Sequence, residues 1–399
     1  STKAPTSSIP RCGACGLYKT CKSPKMPVSG EGKKKILLVA EAPGENEDNQ
    51  GKQFVGVTGT YLGEVLKECG INMRRDCWLT NALICHPPNN RTPDDKEIGY
   101  CRPNLVNTIK ALQPDVIIPL GAVAVKSLLG WLWKDKVGSI TRWVGWQIPN
   151  RNINAWICPS WHPSYVMRTN RGDKHDWHNQ QRSVTDLLWR KHLKAAFGLE
   201  GRPWKNPNVD FRKKVEVLLD YNDAALRIKE FCNSKVPVAL DYETNMLKPD
   251  SSLAEIVCCS LSDGKTTIAY PWQGRAVKAT QKFILSDVPK IASNMKFEER
   301  WTWKEFGHGA NNWYIDTALA AHVLDNRREI AGIKFQAFAL LGVDEWDSRV
   351  KPFFKGGDNN TPNRIRECRL YDLLEYCGLD SLFECKVAKI QSHQLRIDQ

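Results

Sequence analysis

Three groups of residues in this 399-residue chain have the types and spacing to do chemistry. The first is the stretch "VAEAPGENEDNQGKQFVGVTG" at 39–59, where an apolar run feeds a loop holding Glu41, Glu45, Glu47 and Asp48 beside Phe54. Four carboxylates gathered next to an aromatic ring are out of keeping with a formal net charge of +13. The second group is cysteine. Cys12-Gly-Ala-Cys15 is a CxxC turn, Cys85 stands at the end of an apolar run, and Cys101 lies in a helical pattern. Four thiolates so distributed can close a zinc site or an iron–sulfur cluster. The plainer alternative, buried thiols, has little core to enter at a polar N-terminal CxxC. Cys21, Cys69, Cys77 and Cys158 read as core residues. The third group is acidic. In "VALDYET", Asp241 and Glu243 are two apart on a strand and share one side of it, where buried acids require metals or partners. "YDLLEYCGLD" sets Tyr376 and Asp380 at i and i+4 on one helical face, and "SNMKFEERW" sets Asn294 and Glu298 at the same spacing.

The elements that must position these groups follow from periodicity. In the first half, strands read at 35–40, 77–83, 115–121 and 155–161, with helical patterns at about 58–69, 93–111, 122–132 and 179–196. Thr92-Pro93-Asp94-Asp95 is a helix start. The βαβα order predicts a parallel sheet sandwiched by helices, with ligands beyond the carboxyl ends of the strands. That edge would gather the acidic loop, Asn81 and His162. Residues 198–209, rich in Gly and Pro, read as a linker. A second α/β unit follows, with strands near 236–241, 254–261 and 266–270. The expected division is therefore 1–197, a linker at 198–209, and 210–399.

Length favours two domains. The basic charge is concentrated in residues 1–200, with 28 Lys and Arg against 17 Asp and Glu, which points to a polyanionic partner, nucleic acid first. Fourteen cysteines without a recognisable secretory signal fit a reducing compartment better than a disulfide framework. The longest apolar run, "DVIIPLGAVAV", falls short of the ~20 residues that span a bilayer, so no membrane role is expected.

Several motifs together carry a resemblance. "CGAC" at 12–15, "AEAPGENED" at 40–48, "GKQFVG" at 51–56, "TNALICHPPNNRTP" at 80–93, Cys101 and "HPSYVMR" at 162–168 resemble the family 4, iron–sulfur type of uracil-DNA glycosylase over residues 8–197. The resemblance implies a 4Fe–4S cluster held by Cys12, Cys15, Cys85 and Cys101, an α/β sandwich, and a pocket for an extruded uracil. Cleaving the N-glycosidic bond builds positive charge on the sugar and negative charge on the base. Glu41 and Glu47 are the candidates to face the sugar, and His162 the candidate to donate to the base oxygen. Phe54 offers a stacking face and Asn81 a donor and acceptor for the uracil edge. The backbone of Ala42 and Gly44 would lie close by. Glu45 and Asp48 read as solvated charges. Lys33, Lys34, Lys35, Arg168 and Arg171 are candidates for phosphate contacts, as is the helix start near Thr58-Gly59.

The second acidic set resembles the DEDDy 3′–5′ exonuclease domain of family A, polymerase I-like DNA polymerases, over about 210–399. This implies an RNase H-like fold and two divalent ions, Mg²⁺ or Mn²⁺. Asp241, Glu243, Glu298 and Asp380 would hold the metals, and Tyr376 would help to position the attacking water. One position departs from the pattern, because Glu298 stands where Asp is usual. Asp316 reads as structural. The fusion suggests a phage-encoded protein of the bacterial cytoplasm that binds single-stranded or primer-template DNA, removes uracil and proofreads. It would work within, or docked to, a family A polymerase. The other functional reading makes the glycosylase-like half a binding module for uracil, a modified base or the template, with only the exonuclease turning over.

Overall fold

Ile36–Ala40, "ILLVA", has no polar side chain and is buried over its whole length as strand β1. A strand apolar on both faces belongs at the centre of a helix-covered parallel sheet. In the computed structural model, which describes residues 9–170, 181–354 and 361–397, β1 is flanked by β2 (Cys77–Asn81) and β3 (Val116–Pro119), both parallel to it. β5 (Ala155–Ile157) continues the sheet in parallel, and a short β4 (Ile148–Asn150) closes it in the antiparallel sense, giving the order β2-β1-β3-β5-β4. The antiparallel edge was not expected from the sequence, since its three residues carry no alternation.

The helices are α1 (Cys12–Cys15), α2 (Glu45–Gln50), α3 (Val57–Glu68), α4 (Met73–Asp76), α5 (Asp95–Leu112), α6 (Ala122–Leu132), α7 (Pro163–Thr169) and α8 (Val184–Phe197). The cap of α5 is Asp94 rather than Thr92. Its carboxylate accepts from the Lys96 and Glu97 amides while Glu97 reaches back to the Asp94 amide, a complete capping box. One side of the sheet packs Leu38, Leu79 and Ile118 against Tyr61, Leu62, Leu66 and Trp189.

Two compact units meet between Asn208 and Val209. Most of the expected linker is fastened to the first unit. The Arg151 guanidinium lies 3.6 Å from the Trp204 ring centroid, and Trp204 Nε1 donates to the Pro149 carbonyl at 2.6 Å. One indole anchors a run that has no apolar period to read.

The second unit is a six-stranded sheet of order β11-β10-β7-β8-β9-β6. Its strands are β6 (Val215–Val217), β7 (Val238–Thr244), β8 (Ile256–Ser262), β9 (Thr267–Pro271), β10 (Lys290–Ala292) and β11 (Trp313–Asp316). β8 runs antiparallel to β7 and β9, and the other pairs are parallel. Three of these strands, β6, β10 and β11, have only three or four residues and left no readable pattern. The helices are α9 (Tyr221–Phe231), α10 (Gly274–Leu285), α11 (Lys296–Phe306), α12 (Thr317–Leu324), α13 (Ile333–Leu341) and α14 (Leu370–Leu395). The central residues of α14 are buried almost without interruption from Leu373 to Cys385. Its 26 residues nevertheless keep Tyr376, Asp380 and Glu384 on the stripe that faces β7.

Candidate functional site

In the first unit, β1, β2, β3 and β5 end at one edge of the sheet, and the segments that follow β1, β2 and β5 enclose a pocket of about 360 Å³. Ala42, Gly44, Glu47, Phe54, Asn81 and His162 all line it. Asn81, paired in register with Ala40 at the end of β2, is buried, and its Nδ2 has no hydrogen-bond partner. An unmatched buried amide donor is costly and marks a place where a ligand acceptor belongs.

His162 caps α7. Its Nδ1 accepts from the Ser164 amide at 3.3 Å and lies 2.7 Å from Ser164 Oγ. Because Nδ1 is an acceptor, the neutral ring carries its proton on Nε2. Burial, helped by Arg168, pushes the imidazole pKa down to about 4, so the ring is an uncharged donor at neutral pH. The turn after β3 makes room for it. Gly121 has φ of +91°, and a Cβ there would lie 2.9 Å from His162 Cβ.

Glu47 Oε1 accepts from the Val55 and Gly56 amides at 3.0 and 2.8 Å. It thus ties α2 to the turn in which Phe54 sits with φ of +57°. Arg74 supports the same turn by donating to the Gln53 and Phe54 carbonyls at 2.5 and 3.2 Å. Gly59 lets the Phe54 backbone approach, since a Cβ there would lie 2.4 Å from the Phe54 carbonyl carbon. Glu41 is not among the lining residues, and burial raises its pKa.

Behind this pocket Cys12, Cys15, Cys85 and Cys101 line a small apolar cavity with Leu17, Leu83, Ile84 and Tyr100. Gly16, with φ of +75°, closes the single turn that presents Cys12 and Cys15. Three of the sulfurs accept N–H donors, Cys85 from the Lys25 amide and Cys101 from Asn104 Nδ2, each at 3.3 Å, and Cys15 from the Leu17 amide. Burial pushes the Cys85 thiol up to about 12 and raises Cys15 and Cys101. Thiolates in so apolar a cavity would need a positive charge, such as a metal's, beside them.

Asp48 corrects the sequence reading. It is buried rather than solvated, and it accepts from the Lys22 and Ser23 amides at 2.9 and 2.8 Å. The segment that follows the CxxC turn is thereby pinned to α2 on the pocket wall. Cys21 is half-buried beside Cys85. Arg171 lies outside the described residues.

In the second unit, Asp241 and Glu243 project from β7 toward α14, and one ligand atom each from Asp241, Glu243 and Asp380 falls within 4.8 Å of the others. Burial and repulsion from neighbouring acids raise Asp241 and Glu243 well above the carboxylate range, and burial pushes Asp380 up to about 6 against the pull of Lys334. Trp346 Nε1 donates to Asp380 Oδ1 at 2.9 Å. Tyr376 hydrogen-bonds Asp380 and accepts from Lys334 Nζ at 3.3 Å. Glu298, in the first turn of α11, is buried with Oε2 unpartnered and faces Asp241. Asp316 is spent on structure, accepting from the amides of Asn294, Met295, Ala318 and Leu319.

Comparison with known proteins matches each unit to a family. Residues 27–183 match the uracil DNA glycosylase superfamily and residues 216–390 match the 3′–5′ exonuclease family. The type-4 uracil-DNA glycosylase of Pyrobaculum aerophilum is 36% identical over 162 residues, covering 40% of this chain and 81% of that protein. That of Thermotoga maritima is 38% identical over 167 residues, covering 40% and 80%. The chain belongs to the uracil-DNA glycosylase superfamily. Its glycosylase unit is followed by a 3′–5′ exonuclease unit with a mixed six-stranded sheet. A DNA polymerase of Bacillus phage SP01 is 28% identical over 338 residues, covering 76% of this chain and 34% of that protein, so the match runs across both units. Among the described residues no helix is long and apolar enough to cross a membrane.

Sequence reasoning missed several residues of both units. In the glycosylase unit these are Arg74, Asn90, whose Oδ1 accepts from the Glu45 amide at 3.1 Å, and Ser164. In the exonuclease unit they are Lys334 and Trp346, which belong to no local motif.

Proposed function

We propose that the glycosylase unit excises uracil from DNA and the exonuclease unit hydrolyses DNA from its 3′ end, both in the service of a DNA polymerase. The observation that carries the first activity is the meeting, in one pocket with Phe54, of the unpartnered Asn81 amide and the neutral His162 donor. An extruded uracil would stack on Phe54 and offer its edge to Asn81. His162 Nε2–H would donate to the base oxygen as negative charge gathers there, without a proton having to move. Of the two carboxylates in the lining, Glu45 is exposed, and Glu47 is the candidate to face the positive charge that builds on the sugar. Glu41, outside the lining, would act through the loop.

The four thiols, their apolar surroundings and the N–H···S bonds fit a 4Fe–4S cluster held by Cys12, Cys15, Cys85 and Cys101. Bound there, it would lock α1, the end of β2 and α5 together. For the exonuclease, Asp241, Glu243, Glu298 and Asp380 fit two divalent ions, which would stabilise the attacking and leaving oxygens of phosphodiester hydrolysis. Tyr376, buried and held protonated by its acidic neighbours, would orient the attacking water. The phage polymerase match supports a replicative setting.

One observation favours the reading in which the glycosylase unit binds without cleaving. The Oε1 of Glu47 is already engaged by two amides. A 5′-labelled single strand with one internal uracil separates these readings. In EDTA, an alkali-labile break at the uracil is expected, and a 3′ ladder only after Mg²⁺ or Mn²⁺ is added. No break in EDTA, with uracil DNA still bound more tightly than thymine DNA, would make the unit a reader. No ladder with either metal would remove the exonuclease.

A further inference from the structure

Helix α2 has six residues, too few to stand alone, since isolated helices shorter than ~12–15 residues are marginal in water. Its N-cap is Gly44, which has no side chain to offer. The missing acceptor comes from 45 positions along the chain, where Asn90 Oδ1 takes the Glu45 amide at 3.1 Å. A backbone amide only donates, so this contact fixes which end of the Asn90 carboxamide is oxygen. The same oxygen lies 3.0 Å from His86 Nε2. Nε2 must therefore carry a proton and donate, whether the ring is neutral or charged. The other ring nitrogen, Nδ1, lies 3.5 Å from Asp48 Oδ2, further along α2. One imidazole, its side chain 13% exposed, thus reaches the start of α2 through Asn90 and its middle at Asp48.

The loop that carries these groups is itself under restraint. Asn89 and Asn90 have φ of +56° and +53°, and successive left-handed residues persist where their surroundings over-determine them. What the loop fastens is a wall of the pocket. Gly44, Glu45, Glu47 and Asn90 line it, and Glu47 joins α2 to the Val55 and Gly56 amides beside Phe54. His86 is not in the lining, so it acts on a bound base only through other residues. We propose that His86 is a positioning residue of the base pocket. Its Nε2–H holds Asn90 and the start of α2 in place, and through Glu47 it sets the turn that presents Phe54. The proposal rests on the reading of this pocket as the one that receives uracil.

The test is single-turnover excision by the full chain from single-stranded DNA with one uracil, with binding of uracil and thymine DNA compared alongside. His86→Phe keeps a ring and removes the donor. It should slow excision about 10- to 100-fold, the scale of a ~1 Å misplacement. His86→Gln, whose amide NH₂ can serve the same acceptor, should recover most of the rate. Asn90→Ala should be at least as slow as His86→Phe, and combining the two should cost nothing more, because they act through one bond. If the unit binds uracil DNA without cleaving it, the preference for uracil over thymine should follow the same order across the variants. Wild-type excision, or wild-type preference, in a folded His86→Phe protein overturns the proposal and leaves the reading of the pocket in place. So does a loss that Gln fails to restore and that comes with a lower thermal midpoint, since His86 would then support the fold alone. A wild-type chain that neither excises uracil nor prefers it removes the reading of the pocket, and the role of His86 with it.

Discussion

Lys334 on α13 donates from Nζ to the Tyr376 hydroxyl at 3.3 Å and to Asp347 Oδ2 at 3.0 Å. A phenol oxygen that accepts from an ammonium has its own proton free to point elsewhere, and here the partner is Asp380. Lys334 is thus a positioning residue for Tyr376. Replacing it with Met should lower the exonuclease kcat by about 10- to 100-fold, the scale of a small misplacement of a reacting group, with KM little changed. Tyr376→Phe should do the same. Because the two act through one contact, the double variant should be no slower than the worse single one. Fully multiplicative losses would show that Lys334 acts independently of Tyr376.

Asn81 carries the second prediction. Its Nδ2 is a buried donor without an acceptor, so the empty pocket bears a cost that a bound base would relieve. Asn81→Ala should leave the thermal midpoint of the ligand-free protein unchanged or raised. It should weaken discrimination of uracil from thymine DNA by roughly 1–3 kcal/mol, a factor of about 5 to 150. A lower midpoint with discrimination intact would make Asn81 a structural residue.

The neutrality of His162 is also testable. With its pKa held near 4 by burial, the ring takes up a proton only as pH falls through that value. Its Nε2–H should therefore persist from pH 8 to pH 5. Nitrogen-15 shifts of the His162 imidazole should stay flat over that window, and binding of uracil DNA should show no inflection near 6.5. A titration centred near 6.5 would mean that the ring is solvated and free to act as a cation.

Glu47 distinguishes catalyst from reader. Glu47→Gln keeps an oxygen for the Val55 and Gly56 amides and removes the charge, whereas Glu47→Ala removes both. If the charge faces the sugar, both variants should lose excision by at least about 100-fold, the usual scale for a positioned acid–base or electrostatic group. If the side chain only ties the turn, Gln should approach wild type while Ala weakens binding through the released Phe54 loop.

The fold class was legible because β1 and β3 are apolar runs, and β7 opens on one, whose burial leaves little choice of structure. The pocket was legible through "AEAPGENED", Asn81 and His162, each at the end of a strand. What escaped has physical causes. β4, β6, β10 and β11 have only three or four residues and take their form from neighbours rather than from their own pattern. The burial of Asp48 depends on amides more than twenty residues away. Lys334 and Trp346 reach Tyr376 and Asp380 across 42 and 34 positions of sequence.

Proton release on metal binding tests the electrostatics of the acid cluster. Burial pushes Asp380 up to about 6, and burial with repulsion holds Asp241, Glu243 and Glu298 above the ordinary carboxylate range. A divalent ion needs these groups ionised, so it must displace whatever protons they carry. Near pH 6 Asp380 is about half protonated. At pH 8 it is already ionised and contributes none. Protons released per Mn²⁺ should therefore fall, and apparent affinity should rise, as pH goes from 6 to 8. Calorimetry in pairs of buffers with different ionisation enthalpies reads the proton count directly. A count near zero at both pH values would mean that the carboxylates are ionised before the metal arrives, held so by cations other than the ion they bind.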